Sequence, residues 1–120
     1  TYRPAVAAIL DDSGLVDVLR ISGELAWDTV QLMENTAGKL ELRDGVPLVI
    51  DLTNLEFIDS RGIGFLLRLR FAYEDKAVSL ASIPHNVRKV LERTFVLNRF
   101  FVSRSVSDVE EKMREILETA

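Results

Sequence analysis

The chain has no cysteine and a single histidine, His85. Without cysteine there can be no disulfide, no thiolate nucleophile and no Cys-based metal site, and one imidazole excludes a multi-histidine centre. No metal and no cofactor are expected. No apolar run approaches the roughly 18 residues of a membrane span, and no signal-peptide pattern opens the sequence. A cytoplasmic setting without direct membrane insertion is the expectation. Basic charge is also in short supply: 15 Lys and Arg against 19 Asp and Glu leave a net charge of −4, which argues against a general nucleic-acid binder. The charge is uneven, with eleven acids against four bases in residues 1–60 and five bases against Glu92 alone in residues 84–104. Solvated helix and loop charge explains that asymmetry most simply.

What is present is enough for one domain. A chain of 120 residues buries a core without disulfide or metal support, and residues 1–120 read as a single unit without repeat, linker or low-complexity tract. Pro47 to Leu52 is a mostly apolar, β-branched run and reads as a buried strand. Thr53-Asn54 breaks it, and Leu55 to Ile58 carries the chain on to Asp59-Ser60. From there the period changes. Ile63, Leu66, Leu67 and Phe71 lie at helical spacing, so an acid and a hydroxyl sit where a strand hands over to a helix.

Around this centre, Val6–Leu10 and Leu15–Ile21 flank the turn cluster Asp11-Asp12-Ser13-Gly14 and predict a β-hairpin. Ala26, Val30, Met33, Ala37 and Leu40 predict an amphipathic helix, with Asp28 or Thr29 as its cap and Arg43-Asp44-Gly45 as its end. The helix after Ser60 is apolar on more than one face. Phe65 and Leu69 carry the excess, which implies either deeper burial or a docking patch. Ala77–Ile83 reads as a strand. Pro84 opens a helix with Val87, Val90, Leu91 and Thr94 inward, and Leu97–Val102 returns as strand or extended chain. Ser107 and Glu110 fit a capping box ahead of a last helix with an apolar stripe of Val106, Val109, Met113, Ile116 and Leu117. The order β-β-α-β-α-β-α-β-α describes an α/β domain, a mixed, mostly parallel sheet of about five strands with about four helices.

Catalytic readings of Ser60 lack partners. His85 is 25 residues away in sequence, beside Pro84, and Phe57-Ile58-Asp59-Ser60-Arg61-Gly62-Ile63 has no glycine ahead of the serine, so Gly-x-Ser-x-Gly is absent. Arg61-Gly62-Ile63-Gly64 opens a helix, but no Gly-Lys-Ser/Thr follows and no Gly-x-Gly-x-x-Gly occurs. A phospho-receiver domain would use Asp11-Asp12 and Asp59 as its acids, yet Asp11-Asp12 fits a hairpin turn and a late Lys-Pro pair is missing. Arg93 to Phe101 interleaves basic and aromatic residues as base-stacking surfaces do, but phenylalanines among Val and Leu belong more naturally to a core. No catalytic residue is expected. Two readings of Ser60 stay open: a plain helix N-cap, or a phosphorylation site. A phosphate there would carry roughly −1.5 to −2 charge at a helix N-terminus, where dipole and free N–H groups accept it, with Arg61 adjacent. It would change binding rather than folding.

Ile50-Asp51-Leu52-Thr53-Asn54-Leu55-Glu56-Phe57-Ile58-Asp59-Ser60-Arg61-Gly62-Ile63-Gly64 resembles the signature of STAS domains, the anti-sigma factor antagonist family. Ile21-Ser22-Gly23-Glu24-Leu25 resembles the Gly-Glu-Leu element after the family's second strand. Val87 to Thr94, with Leu97 and Phe100, resembles its third helix and following strand. The resemblance implies a non-enzymatic regulator of bacterial partner switching. It would bind an anti-sigma factor that is also its serine kinase, be released by phosphorylation at Ser60, and be restored by a cognate phosphatase. Asp28, Asp59, Arg61, Gly62, Ile63, Gly64 and Phe65 would then form the partner surface. Within the same family, an assembly or regulatory subunit of a membrane lipid or anion transporter complex is the alternative. Three positions depart from the pattern: Ala26 stands where Asp is frequent, Arg61 where a small residue is common, and Phe95 where glycine is usual.

Overall fold

The computed structural model describes residues 5–119. Its elements run β1 (Val6–Asp11), β2 (Asp17–Leu25), α1 (Val30–Ala37), β3 (Leu48–Asp51), β4 (Leu55–Ile58), α2 (Ser60–Ala72), β5 (Val78–Ala81), α3 (His85–Arg93), a 3-10 turn (Val96–Arg99), β6 (Phe101–Ser103) and α4 (Val106–Thr119). The six strands form one mixed sheet in the order β1-β2-β3-β5-β6, with β4 also paired to β2. Only β1–β2 is antiparallel, as a hairpin requires; the other pairings are parallel.

The nine-residue strand β2 organises the site. Its first half, Asp17–Arg20, pairs with Leu48–Asp51 of β3, and its last residues, Gly23–Leu25, pair with β4. Between β3 and β4 the chain makes a tight turn in which the Thr53 N–H and hydroxyl donate to Asp51 Oδ1 at 3.0 and 2.6 Å, an arrangement typical of Asp at turns. The register shifts between Gly23 and Glu24. Gly23 has φ +90°, and a Cβ there would lie 2.2 Å from the Ala5 carbonyl oxygen, so only glycine fits this bulge. The outcome is that the ends of β2 and β4 lie side by side.

The main core lies on the sheet face covered by α1, α2 and α3. Leu19, Ile21, Leu48, Ile50, Leu66, Leu80 and Leu91 are at most 1% exposed. The opposite face carries a smaller cluster, Val16, Val18, Val49 and Ala81, packed by Val106, Val109 and Met113 of α4.

Several expectations need correction. The sheet has six strands because Leu55–Ile58 pairs as a strand of its own. Helix α1 stops at Ala37, with Gly38 as its C-cap, well before Arg43-Asp44-Gly45, and Ala26 and Leu40 fall outside it. Leu97–Arg99 belongs to the 3-10 turn, leaving a three-residue β6. The last helix is capped by Ser105, whose Oγ accepts from the Asp108 N–H at 3.1 Å, two residues ahead of the expected Ser107. Thr94 is exposed, and its hydroxyl donates back to the Val90 carbonyl at 2.9 Å. Ile116 and Leu117 remain exposed. Phe65 and Leu69, in contrast, are buried, so the second apolar face of α2 is core rather than surface.

Candidate functional site

The site forms where α2 begins, at the carboxyl ends of β2 and β4, the sheet edge at which α/β folds collect function. Asp59 is the N-cap of α2. Its Oδ1 accepts from the N–H groups of Arg61 (2.9 Å) and Gly62 (3.0 Å), and its extended backbone is the usual N-cap geometry. The other oxygen, Oδ2, accepts from the Trp27 N–H at 3.0 Å, reaching across to the loop between β2 and α1. One carboxylate thus starts the helix and fixes the neighbouring loop.

That loop is held from its other side by Thr29, which is buried. The Thr29 hydroxyl donates to the Glu24 carbonyl at 2.6 Å and its oxygen accepts from the Ala26 N–H at 3.0 Å. Threonine therefore orders the loop instead of capping α1, although it occupies the N-cap position. The backbones also approach closely. The Asp59 N–H donates to the Leu25 carbonyl at 3.3 Å, and a Cβ on Gly62 would lie 2.1 Å from that same oxygen and 2.8 Å from Ile58 Cγ1. Only glycine permits the first turn of α2 to sit there. Arg68 of α2 pairs with Glu34 of α1, its Nε donating at 2.6 Å.

Ser60 is the first residue of α2 and is exposed. Since Asp59 supplies the cap, the Ser60 hydroxyl makes no hydrogen bond among the described residues. Arg61 is exposed and its guanidinium likewise has no ion-pair or hydrogen-bond partner among them. Asp28 is exposed on the loop, Asp59 and Gly64 are half-buried, and Gly62 is buried under Leu25. Ile63 and Phe65 are 7% and 1% exposed. The structure therefore gathers Asp28, Asp59, Ser60 and Arg61 at one surface. Ile63 and Phe65 are withdrawn from it as packing residues, because the helix turns them onto the sheet.

Sequence reasoning missed Trp27. The only tryptophan of the chain is 70% exposed, directly beside the start of α2 through its N–H bond to Asp59. The signal was available: a large aromatic in a strand-to-helix loop, off the apolar face that Ala26, Val30 and Met33 define. Phe57, 47% exposed on β4, is a second exposed aromatic on the strand leading into α2. Among the described residues, no group of three or more His, Asp or Glu could hold a metal, and no helix is long and apolar enough to cross a membrane.

A protein-family model described as "Mlab, STAS domain" matches residues 9–99. Among solved structures, an anti-sigma factor antagonist from Mycobacterium paratuberculosis superposes with a TM-score of 0.74 at 24% identity, over 92% of this chain and 95% of that one. At 24% identity this likeness is one of fold. The same holds for the phosphorylated form of the Bacillus cell fate determinant SpoIIAA, with a TM-score of 0.64, 20% identity, and 88% and 98% coverage. It holds equally for a murine solute carrier 26 family anion transporter, with a TM-score of 0.71 and 18% identity, where the match covers 88% of this chain but 18% of the transporter. No curated protein matches the sequence significantly.

Proposed function

The chain belongs to the STAS domain family, and from that premise we propose that it is an anti-sigma-factor-antagonist-like regulator switched by phosphorylation of Ser60. In its unmodified state it binds a serine kinase that is also an anti-sigma factor. Transfer of the ATP γ-phosphoryl group to Ser60 Oγ, with loss of the hydroxyl proton and release of ADP, ends the binding, and a phosphatase reverses it. The domain itself is a substrate and ligand rather than an enzyme.

The observation that carries this reading is the division of labour at the start of α2. Asp59 caps the helix, which leaves the exposed Ser60 hydroxyl without a structural task. A phosphate at that position would meet the positive end of the helix dipole and the adjacent Arg61. Asp28, Ser60 and Arg61 form the exposed part of the docking surface, with Asp59, Gly62 and Gly64 shaping it. Phe65 and Ile63 support it from within. The likeness in fold to an anti-sigma factor antagonist and to a phosphorylated SpoIIAA is consistent with this.

A second reading, a regulatory or assembly subunit of a membrane lipid or anion transporter complex, draws on the fold shared with part of an anion transporter. One assay separates the two. Wild-type protein and Ser60→Ala are incubated with ATP and each histidine-kinase-like ATPase encoded near the gene, then weighed intact. A gain of one phosphate by the wild type, absent in Ser60→Ala, is expected. If no kinase modifies the wild type and the protein co-purifies with a permease, the transporter reading replaces the switch. Ser60→Asp is expected to weaken kinase binding while moving the melting temperature little; extensive unfolding would mean that Ser60 is structural.

A further inference from the structure

We propose that Trp27 and Arg61 together form the anchor that selects the partner: the indole enters an apolar pocket on the kinase, and the guanidinium meets a carboxylate at that pocket's rim. The inference rests on the proposed function and names the chemistry of the surface that this face accepts.

Three observations converge on it. Trp27 is 70% exposed, yet its backbone is not loose: its N–H is held by Asp59 and its loop by the buried Thr29. A large aromatic displayed on an ordered loop loses little freedom on binding, and tryptophan is the residue type most enriched among interface hot spots. Arg61 lies two residues from the same capping carboxylate, which accepts from its backbone N–H, while its side chain is exposed and unpaired among the described residues. Arginine is the other residue type enriched at such anchors. This face also carries the Asp28 and Asp59 carboxylates, but the Arg61 guanidinium is ion-paired to neither among the described residues. The complement of the pair is an apolar pocket for the indole with a carboxylate at its rim that reaches the guanidinium.

This chemistry also explains how the switch is read. A phosphate on Ser60 places roughly −1.5 to −2 charge next to Arg61. The carboxylate that attracts the unmodified face then repels the modified one, so a single partner acid both selects Arg61 and rejects the phosphate. Charge reversal at Arg61 should reproduce part of the effect of phosphorylation with Ser60 untouched.

The test uses the kinase that modifies Ser60 in the mass assay, with binding measured by calorimetry without ATP. Trp27→Ala is expected to weaken binding about 30-fold or more, the level that defines a hot spot, whereas Trp27→Phe keeps most of the affinity. Arg61→Glu is expected to weaken it at least about tenfold and to abolish or invert the loss of affinity that the wild type shows with added salt. Melting temperatures of all three should stay close to wild type, since both side chains are exposed. Should Trp27→Ala fail to fold, wild-type protein labelled with 5-fluorotryptophan gives one fluorine resonance, which should shift on kinase binding. Unchanged affinity in Trp27→Ala, or an unmoved resonance, overturns the anchor. Unchanged affinity and salt response in Arg61→Glu overturn the acidic rim. If no kinase binds the wild type at all, the proposed function falls and takes this inference with it.

Discussion

Replacing Asp59 by alanine removes three backbone hydrogen bonds at once, and the size of the effect can be worked from their geometry. Two of them, from Arg61 and Gly62 N–H, are N-cap bonds at 2.9 and 3.0 Å. Loss of an N-cap typically costs about 1 kcal/mol. The third, from the Trp27 N–H at 3.0 Å, crosses from one element to another, and a hydrogen bond to a charged acceptor contributes about 1.5 kcal/mol at the lower end of its range, the end suited to a half-buried group. Asp59→Ala should therefore destabilise the domain by about 2–3 kcal/mol. For a domain of this size that lowers the melting temperature by roughly 10 °C. Asp59→Asn refines the test. Asparagine caps helices as well as aspartate does, so its oxygen can keep Arg61 and Gly62 while its amide faces the Trp27 N–H as a second donor. It should lose only the cross-link, about 1–1.5 kcal/mol. Urea unfolding gives the free energies, and amide hydrogen exchange at Trp27, Arg61 and Gly62 gives the location. A loss below about 0.5 kcal/mol in Asp59→Ala, or equal losses in the two variants, would refute the assignment of the cap and the cross-link to one carboxylate.

Four further outcomes are expected. Gly62→Ala forces a Cβ to within 2.1 Å of the Leu25 carbonyl oxygen and should destabilise by about 3 kcal/mol or more. Gly64→Ala meets only the far end of the Arg68 side chain at 3.0 Å, an exposed group that can shift against Glu34, and should be neutral or stabilise by up to about 1 kcal/mol through helix propensity; chemical denaturation of the pair checks both. Phe95 holds a left-handed backbone at φ +59° and is 74% exposed, so Phe95→Gly should relieve strain and raise stability by up to about 1 kcal/mol, measured by thermal melts; a clear loss would show that the ring is needed. The Ser13 hydroxyl and N–H, which donate to Asp11, hold its carboxyl below the usual carboxylate range, with Arg20 adding a smaller effect. A depressed folded-state value stabilises the fold above the unfolded-state pKa, and the contribution fades as pH falls through the folded value. Ser13→Ala should raise the Asp11 value in an NMR titration and flatten stability over that acid range.

The parts of this molecule that the sequence made legible are those where a period is long enough to be unambiguous. The change from the apolar, β-branched run Pro47–Leu52 to the helical spacing of Ile63, Leu66, Leu67 and Phe71 located the start of α2, and the Asp11–Gly14 cluster located the hairpin. Short elements were not legible. Strand β4 has only four residues, of which Glu56 and Phe57 are exposed, so no alternation distinguishes it from a loop; its identity comes from pairing with β2. In α1 the apolar spacing continues to Leu40, yet Gly38 ends the helix, because Leu40 packs against the core from outside it. At the site, composition marked Asp59 and Ser60 but could not divide the roles between them. Either side chain can cap a helix, and only the placement of the Trp27 N–H against Asp59 Oδ2 shows why aspartate, with a second acceptor oxygen, does so here.

That division bears on what kind of switch the geometry permits. Were the Ser60 oxygen the cap, phosphorylation would disturb a bond that contributes about 1 kcal/mol, while the phosphate at the helix start would return roughly 0.3–1 kcal/mol through the dipole. Folding and binding would then shift together and neither could be tuned alone. With Asp59 as the cap, the modified oxygen holds nothing inside the domain. The favourable dipole and the repulsion from the neighbouring carboxylate act on the same phosphate with opposite sign, so the net effect on folding stays small. Under the proposed switch the added charge would be expressed outward instead, where each 1.4 kcal/mol against a partner is tenfold in affinity. Ser60, Arg61 and Trp27 thus stand on a scaffold that Asp59, Gly62 and Thr29 hold, and under the proposed switch that scaffold would confine the charge of a phosphoserine to the exposed surface.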